Sequence, residues 1–178
     1  MQIEIFTGDS GTTAEKDNVE KVEDYFRGGF LTIKDLSLEL SSYGNVTTHI
    51  FSEEYGYLQG SDSITELKLP DKVGVDATRD FSKAVSDASR TADVIVILLT
   101  KFVFEETVKK QWDDLVSNAK SNSIWCIGAS SNAVESVDIE KLQLEAGSVI
   151  VYERVGVARI STECKDELIE TVSQASSK

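Results

Sequence analysis

The stretch Phe6-Thr7-Gly8-Asp9-Ser10-Gly11-Thr12-Thr13 gathers hydroxyls, two glycines and one carboxylate into a short run directly behind an apolar N-terminus. That composition suits a loop that turns backbone N–H groups and hydroxyls toward an oxyanion, above all a phosphate. Gly8 and Gly11 would allow tight or positive-φ turns. Thr7, Ser10, Thr12 and Thr13 would supply hydroxyls. An ordinary strand-to-helix turn, with a Ser or Thr capping the helix, accounts for the same residues, and composition leaves both readings open. The run is not a Walker A motif, because no Gly-Lys-Ser/Thr follows. Nor is it a dinucleotide fingerprint, because the glycine spacing differs.

Other residue types with chemistry are few. Glu53, Glu54 and Asp62 form an acidic trio that could act as general acid or base or bind Mg²⁺; a solvated acidic stretch is the plainer alternative. Lys101 and Arg154 each follow an apolar run and are the best placed cations to neutralise a phosphate, with Arg159 a weaker third. His49 is the sole histidine. It alternates with Thr47 and Phe51 and is expected to pack or sit at an edge. No Ser-His-Asp or Cys-His arrangement and no zinc-ligand spacing is evident, so no metal site is expected. Cys126 lies in the apolar run Ile124-Trp125-Cys126-Ile127, far in sequence from Cys164; a buried free thiol used as a small hydrophobe is expected, with a disulfide or reactive site as the alternative.

These residues need elements to position them. The spacing predicts strands over 2–6, 46–52, 92–100, 123–127 and 148–152, and helices over 14–26, 31–43, 76–91, 102–120, 138–145 and 162–175. Gly28-Gly29 is expected to end the first helix and Gly44 the second. Residues 53–62 are read as turn-rich, and 63–75, with the only proline, Pro70, as an irregular excursion. The unbroken run Val94-Ile95-Val96-Ile97-Leu98-Leu99 marks a central parallel strand covered on both faces.

Alternating strands and helices imply βαβ units with right-handed crossovers. The expected fold is therefore a single α/β domain: a three-layer, Rossmann-like open sheet of about five mainly parallel strands, with helices on both faces. Ligands of such sheets bind at the carboxyl ends of the strands. That rule nominates the first loop, then Ser52 to Tyr55, Thr100-Lys101, Gly128 to Ser131 with Ser130 among them, and Glu153-Arg154.

The first loop resembles the flavodoxin phosphate loop, except that Gly8 stands where that loop has its first hydroxyl residue. The resemblance implies an electron-transfer flavoprotein. Phe51-Ser52-Glu53-Glu54-Tyr55-Gly56-Tyr57-Leu58, with Asp62 behind it, is similar to the Ser-Ala-Lys-Tyr-Gly-Leu signature of an uncharacterised prokaryotic and phage α/β family related to peroxide-stress and nucleic-acid-modification proteins. Here Glu53 and Glu54 replace the small and basic residues, and the Pro-Tyr element that follows in that family is missing. The second resemblance implies a nucleotide- or base-related role.

The bulk composition narrows the partners. The 178 residues are 40% hydrophobic, ample for a core, and carry a net charge of −13. So acidic a chain disfavours general binding to nucleic acid or anionic membranes. A high-salt setting would also explain the acidity, although 13 lysines are many for such a protein. No signal peptide and no membrane-spanning run is seen, which points to the cytoplasm.

The expected function is binding of a nucleotide or nucleoside, with action on a glycosidic or phosphate bond through Glu54 or Asp62. A non-catalytic sensor of a nucleotide second messenger in a defence system, expected to form a homodimer, is the first rival. The flavodoxin-like electron carrier is the second. The residues name no cofactor.

Overall fold

Residues 1–67, 75–153 and 160–177 are described by the structure, a computed structural model. Six strands form one sheet: β1 (Gln2–Gly8), β2 (Asn45–Ser52), β3 (Gly56–Gln59), β4 (Val94–Leu98), β5 (Ile124–Ala129) and β6 (Ser148–Glu153), in the order β3-β2-β1-β4-β5-β6. All neighbours are parallel except β2 and β3. Without β3, the order is that of the flavodoxin-like class of doubly wound α/β sheets. The chain thus has the open, Rossmann-like α/β architecture expected, with one antiparallel edge strand in addition. That strand lies within the segment read as turns, where Gly56 takes a φ of +85° and reverses the chain.

Burial explains the centre of the sheet. Every residue of β4 and β5 is buried, as is Ile3 through Thr7 in β1. Helices α2 (Leu31–Leu40) and α8 (Thr162–Ser176) cover one face, inserting Ile33, Leu36, Leu40, Leu168 and Val172. The opposite face receives Phe81 and Val85 from α3 (Val75–Thr91), Phe104 from α4 (Lys101–Thr107), Trp112 and Leu115 from α5 (Trp112–Ser117) and Leu142 from α7 (Ile139–Glu145). Both tryptophans, Trp112 and Trp125, belong to this second layer.

Three expected elements differ. Residues 14–26 are not a helix: Ala14 N bonds Tyr25 O at 2.7 Å and Arg27 N bonds Thr12 O at 2.8 Å, so the segment folds back on itself. Only α1 (Val22–Tyr25) is helical α-turn there. Val19, Val22 and Phe26 have helical spacing, but β-bridges from Thr13 to Phe26 and from Lys21 to Ser63 prevail. Gly28, at φ +59°, opens the 3₁₀ turn that leads into α2 rather than ending a helix. The helix expected over 102–120 breaks at Val108 into α4, a 3₁₀ turn and α5. A further short helix, α6 (Ser131–Val134), follows β5. Pro70 lies outside the described residues.

His49 is packed, as expected, but within a polar network. Its Nε2 pairs with Glu4 Oε2 at 2.6 Å and its Nδ1 with the Tyr57 hydroxyl at 2.7 Å, while Phe6 stacks on its ring at 4.4 Å. The network joins β1, β2 and β3 beneath Phe81, which meets Phe6, Phe51 and Tyr57 edge-on.

Gly44 sits where a Cβ would run into the Met1 backbone, whose carbonyl accepts the Asn45 amide at 2.9 Å. Gly44→Ala is expected to lower the unfolding free energy by about 1–3 kcal/mol in urea titration, as overpacking against backbone does. Gly11→Ala, in open space, is expected to stay within about 0.5 kcal/mol of wild type.

Candidate functional site

The strand order reverses between β1 and β4. From β1 the chain crosses to β2 on one side; after β3 it returns under α3 to β4 on the other. Crossovers leaving to opposite faces open a crevice at the carboxyl ends of the two strands between them. The loop after β1 and the turn Leu99-Thr100-Lys101 after β4 flank that crevice, with the exits of β2 and β5 one strand further out on either side.

The first loop is built differently from a glycine-shaped cradle. Among the described residues positive φ occurs at Gly28, Gly56 and Asn122, and not at Gly8 or Gly11. Thr7 is fully buried in β1, its hydroxyl donating to Gly8 O at 3.2 Å, so it is not available to a ligand. Asp9 N donates to Phe51 O, which ties the loop to β2. Ser10 Oγ accepts Thr12 N at 3.3 Å, a local hydroxyl turn. Gly11, Thr12 and Thr13 are exposed.

The loop meets the start of α2. A Cβ on Gly28 would stand 3.3 Å from Thr12 Oγ1 and 3.5 Å from Ser10 Oγ, so both hydroxyls crowd this bare position. Among the described residues the amides of Ser10, Gly11, Gly28 and Gly29 make no hydrogen bond. Unpaired amides, two hydroxyls and the positive end of a helix dipole make this the electropositive part of the crevice. From sequence, Gly28-Gly29 are expected only to end a helix, and neither they nor the adjoining Arg27, which is half-buried, are read as site residues.

The exit of β2 is the negative part. Ser52 is fully buried, and its hydroxyl accepts the amides of Glu54 (3.2 Å) and Tyr55 (3.0 Å). Glu53 and Glu54 are exposed. Asp9 stands beside them; burial pushes its carboxyl above the ordinary carboxylate value, the Ser52 hydroxyl opposes this by hydrogen bonding, and the charges of Glu53 and Glu54 add to the rise. Asp9 is therefore the perturbed acid of the site. The sequence contained the clue, a lone carboxylate among hydroxyls, but its burial depends on β2 lying alongside.

Tyr55 forms a wall rather than a free contact. Its hydroxyl lies 3.5 Å from that of Tyr25, and Lys16 Nζ sits over both rings, 5.3 Å from Tyr55 and 5.7 Å from Tyr25. The hydrogen bond with Tyr25, followed by burial and the neighbouring Glu54, pushes the Tyr55 hydroxyl well up.

On the far side, Thr100 precedes α4 without capping it, and Lys101 is exposed, its Nζ 4.0 Å from Glu105. Ser130 follows β5, and its buried hydroxyl has no hydrogen-bond partner among the described residues. Arg154 and Arg159 lie outside the described residues. Asp62 is not brought to the crevice. Strand β3 runs antiparallel, from Gly56 opposite Ser52 down to Gln59 opposite His49, and so carries Asp62 toward the other end of the sheet. There its carboxylate accepts Gln59 N at 2.7 Å. No group of three acidic, histidine or cysteine residues among the described residues is arranged to hold a metal ion.

The Asp9 geometry has a pH signature. The folded protein holds the Asp9 proton more tightly than the unfolded chain, so this group's contribution to stability declines as pH rises from the ordinary value through the raised one. Its cost is fully present above the raised value. Asp9→Asn is expected to raise the thermal unfolding midpoint at pH 7, and the gain should vanish near pH 3, as read by circular dichroism melts across that range.

No protein-family model matches the chain, and no curated protein matches it. Among solved structures, the Streptococcus pneumonia TIGR4 flavodoxin is similar over 99% of each chain, at 10% identity and a TM-score of 0.40. The strand order by itself is that of an open, doubly wound α/β sheet.

Proposed function

We propose that the protein binds a nucleotide or a nucleoside phosphate in the crevice between the exits of β1 and β4. The observation that supports this most is the reversal of strand order at that point, with an open, hydroxyl-rich loop on one side and Thr100-Lys101 on the other. The polarity of the crevice orients such a ligand. Its phosphate would meet Ser10, Thr12 and the free amides at the start of α2. Ribose hydroxyls would meet the carboxylates of Asp9, Glu53 and Glu54. If a glycosidic or phosphate bond is cleaved, Asp9 and Glu54 are the acids within the crevice, and Asp62 is not.

The flavodoxin-like strand order favours a second reading, a flavin mononucleotide in the same crevice. A flavin-loaded preparation is yellow, so one absorbance scan separates the two readings.

The test is a thermal-shift series with nucleoside 5′-monophosphates, flavin mononucleotide and unphosphorylated nucleosides. A phosphate-bearing ligand is expected to raise the unfolding midpoint, and the bare nucleosides to act more weakly. Thr12→Ala and Lys101→Met are expected to weaken affinity about tenfold each, the scale of one hydrogen bond to a charged group. Both side chains are exposed, so stability should hold. Equal affinity in wild type and both variants would refute the placement.

A further inference from the structure

Two thiols meet away from the crevice, between the sheet and the last helix. Cys126 of β5 is 0% exposed and Cys164 of α8 is 5% exposed, and their sulfurs lie 3.7 Å apart. We propose that Cys126 and Cys164 are a reactive pair that closes to an intramolecular disulfide when the protein meets a peroxide, fastening the first turn of α8 to β5.

The two positions differ in a way that assigns roles. Cys164 is the third residue of α8, behind the cap Ser161, whose hydroxyl accepts the Cys164 amide at 3.1 Å. A helix N-terminus favours thiolate, the reactive form. The hydrogen bond from Cys126 holds the Cys164 thiol down, against the opposing influences of burial and Glu167. Cys126, bonded to Cys164 and buried in the sheet, is pushed up and stays protonated. Cys164 is thus the attacking sulfur and Cys126 the resolving one.

The chemistry balances with one peroxide. The Cys164 thiol gives up its proton, its thiolate attacks a peroxide oxygen, the O–O bond breaks, and Cys164 becomes a sulfenic acid while the departing hydroxide takes up that proton and leaves as water. The Cys126 sulfur then attacks the sulfenic sulfur. The S–O bond breaks, the Cys126 proton goes to the departing oxygen, and a second water leaves. Two sulfurs lose two electrons in total, and the peroxide gains them.

The sulfurs must close from 3.7 Å to about 2.05 Å. Strand β5 is held on both sides by β4 and β6, so the adjustment falls on the start of α8. The link would span 38 positions of sequence, and closing such a loop restricts the unfolded chain.

The experiment treats the folded, full-length protein with hydrogen peroxide, quenches it, and counts thiols after denaturation. Expected are loss of both thiols, a mass lower by two hydrogen atoms, a Cys126–Cys164 linked peptide in a non-reducing digest, and a higher unfolding midpoint reversed by dithiothreitol. In Cys164→Ser, Cys126 should remain a free thiol under the same treatment. Two surviving thiols in wild type would overturn the proposal. So would a sulfinic acid on Cys164 alone, or links only between molecules. The wild-type peptide map decides the matter even if the variant fails to fold.

Discussion

The position of β1 constrains everything else in this molecule. It precedes the other five strands in sequence, yet it lies inside the sheet, between β2 and β4, with both faces covered. A parallel strand in that place must be left by one crossover and bypassed by another. Right-handedness sends the two to opposite faces. The gap they leave at the strand exits is therefore a product of topology, and no side chain need be specialised to create it. Side chains decide only what the gap will accept.

The residues around the gap are of two kinds. Where the first loop meets α2, the amides of Ser10, Gly11, Gly28 and Gly29 make no hydrogen bond among the described residues, and the Ser10 and Thr12 hydroxyls stand beside Gly28. Where it meets β2, Asp9 is squeezed against Glu53 and Glu54 with a raised carboxyl. A protein selected for stability alone would not keep a half-buried carboxylate next to two others. Keeping it costs stability, a pattern common at functional sites. The Glu4–His49–Tyr57 network looks equally polar on paper but is of another kind. Each ring nitrogen has a partner, Phe6 and Phe81 enclose the group, and the result fastens the edge strand β3 to the interior of the sheet.

What could be read in the sequence follows from how local each signal is. The run Val94 to Leu99 announces a doubly covered strand by itself, and the apolar faces of α3 and α8 are plain from spacing. Strand β3 has only four residues and depends on Gly56 turning back against β2, so its residues read as turns. Residues 14–26 carry a helical pattern that loses to the pairings of Ala14 with Tyr25, Thr13 with Phe26 and Lys21 with Ser63. The candidate site shows the same division. The hydroxyls of the first loop and of Thr100 were visible as strand-exit residues. Gly28-Gly29 and Asp9 gained their significance from neighbours distant in sequence, and Asp62 lost its own because β3 runs the other way.

The uneven division of aromatic residues between the two layers has an optical consequence. Both indoles lie on the side of the sheet covered by α3, α4, α5 and α7, where Trp125 Nε1 donates to Ser123 Oγ at 3.0 Å and Trp112 Nε1 to Asp138 O at 3.2 Å. The side covered by α2 and α8 carries no tryptophan. Intrinsic emission therefore reports one half of the interior, and a fluctuation that lifts α8 alone would be dark to it.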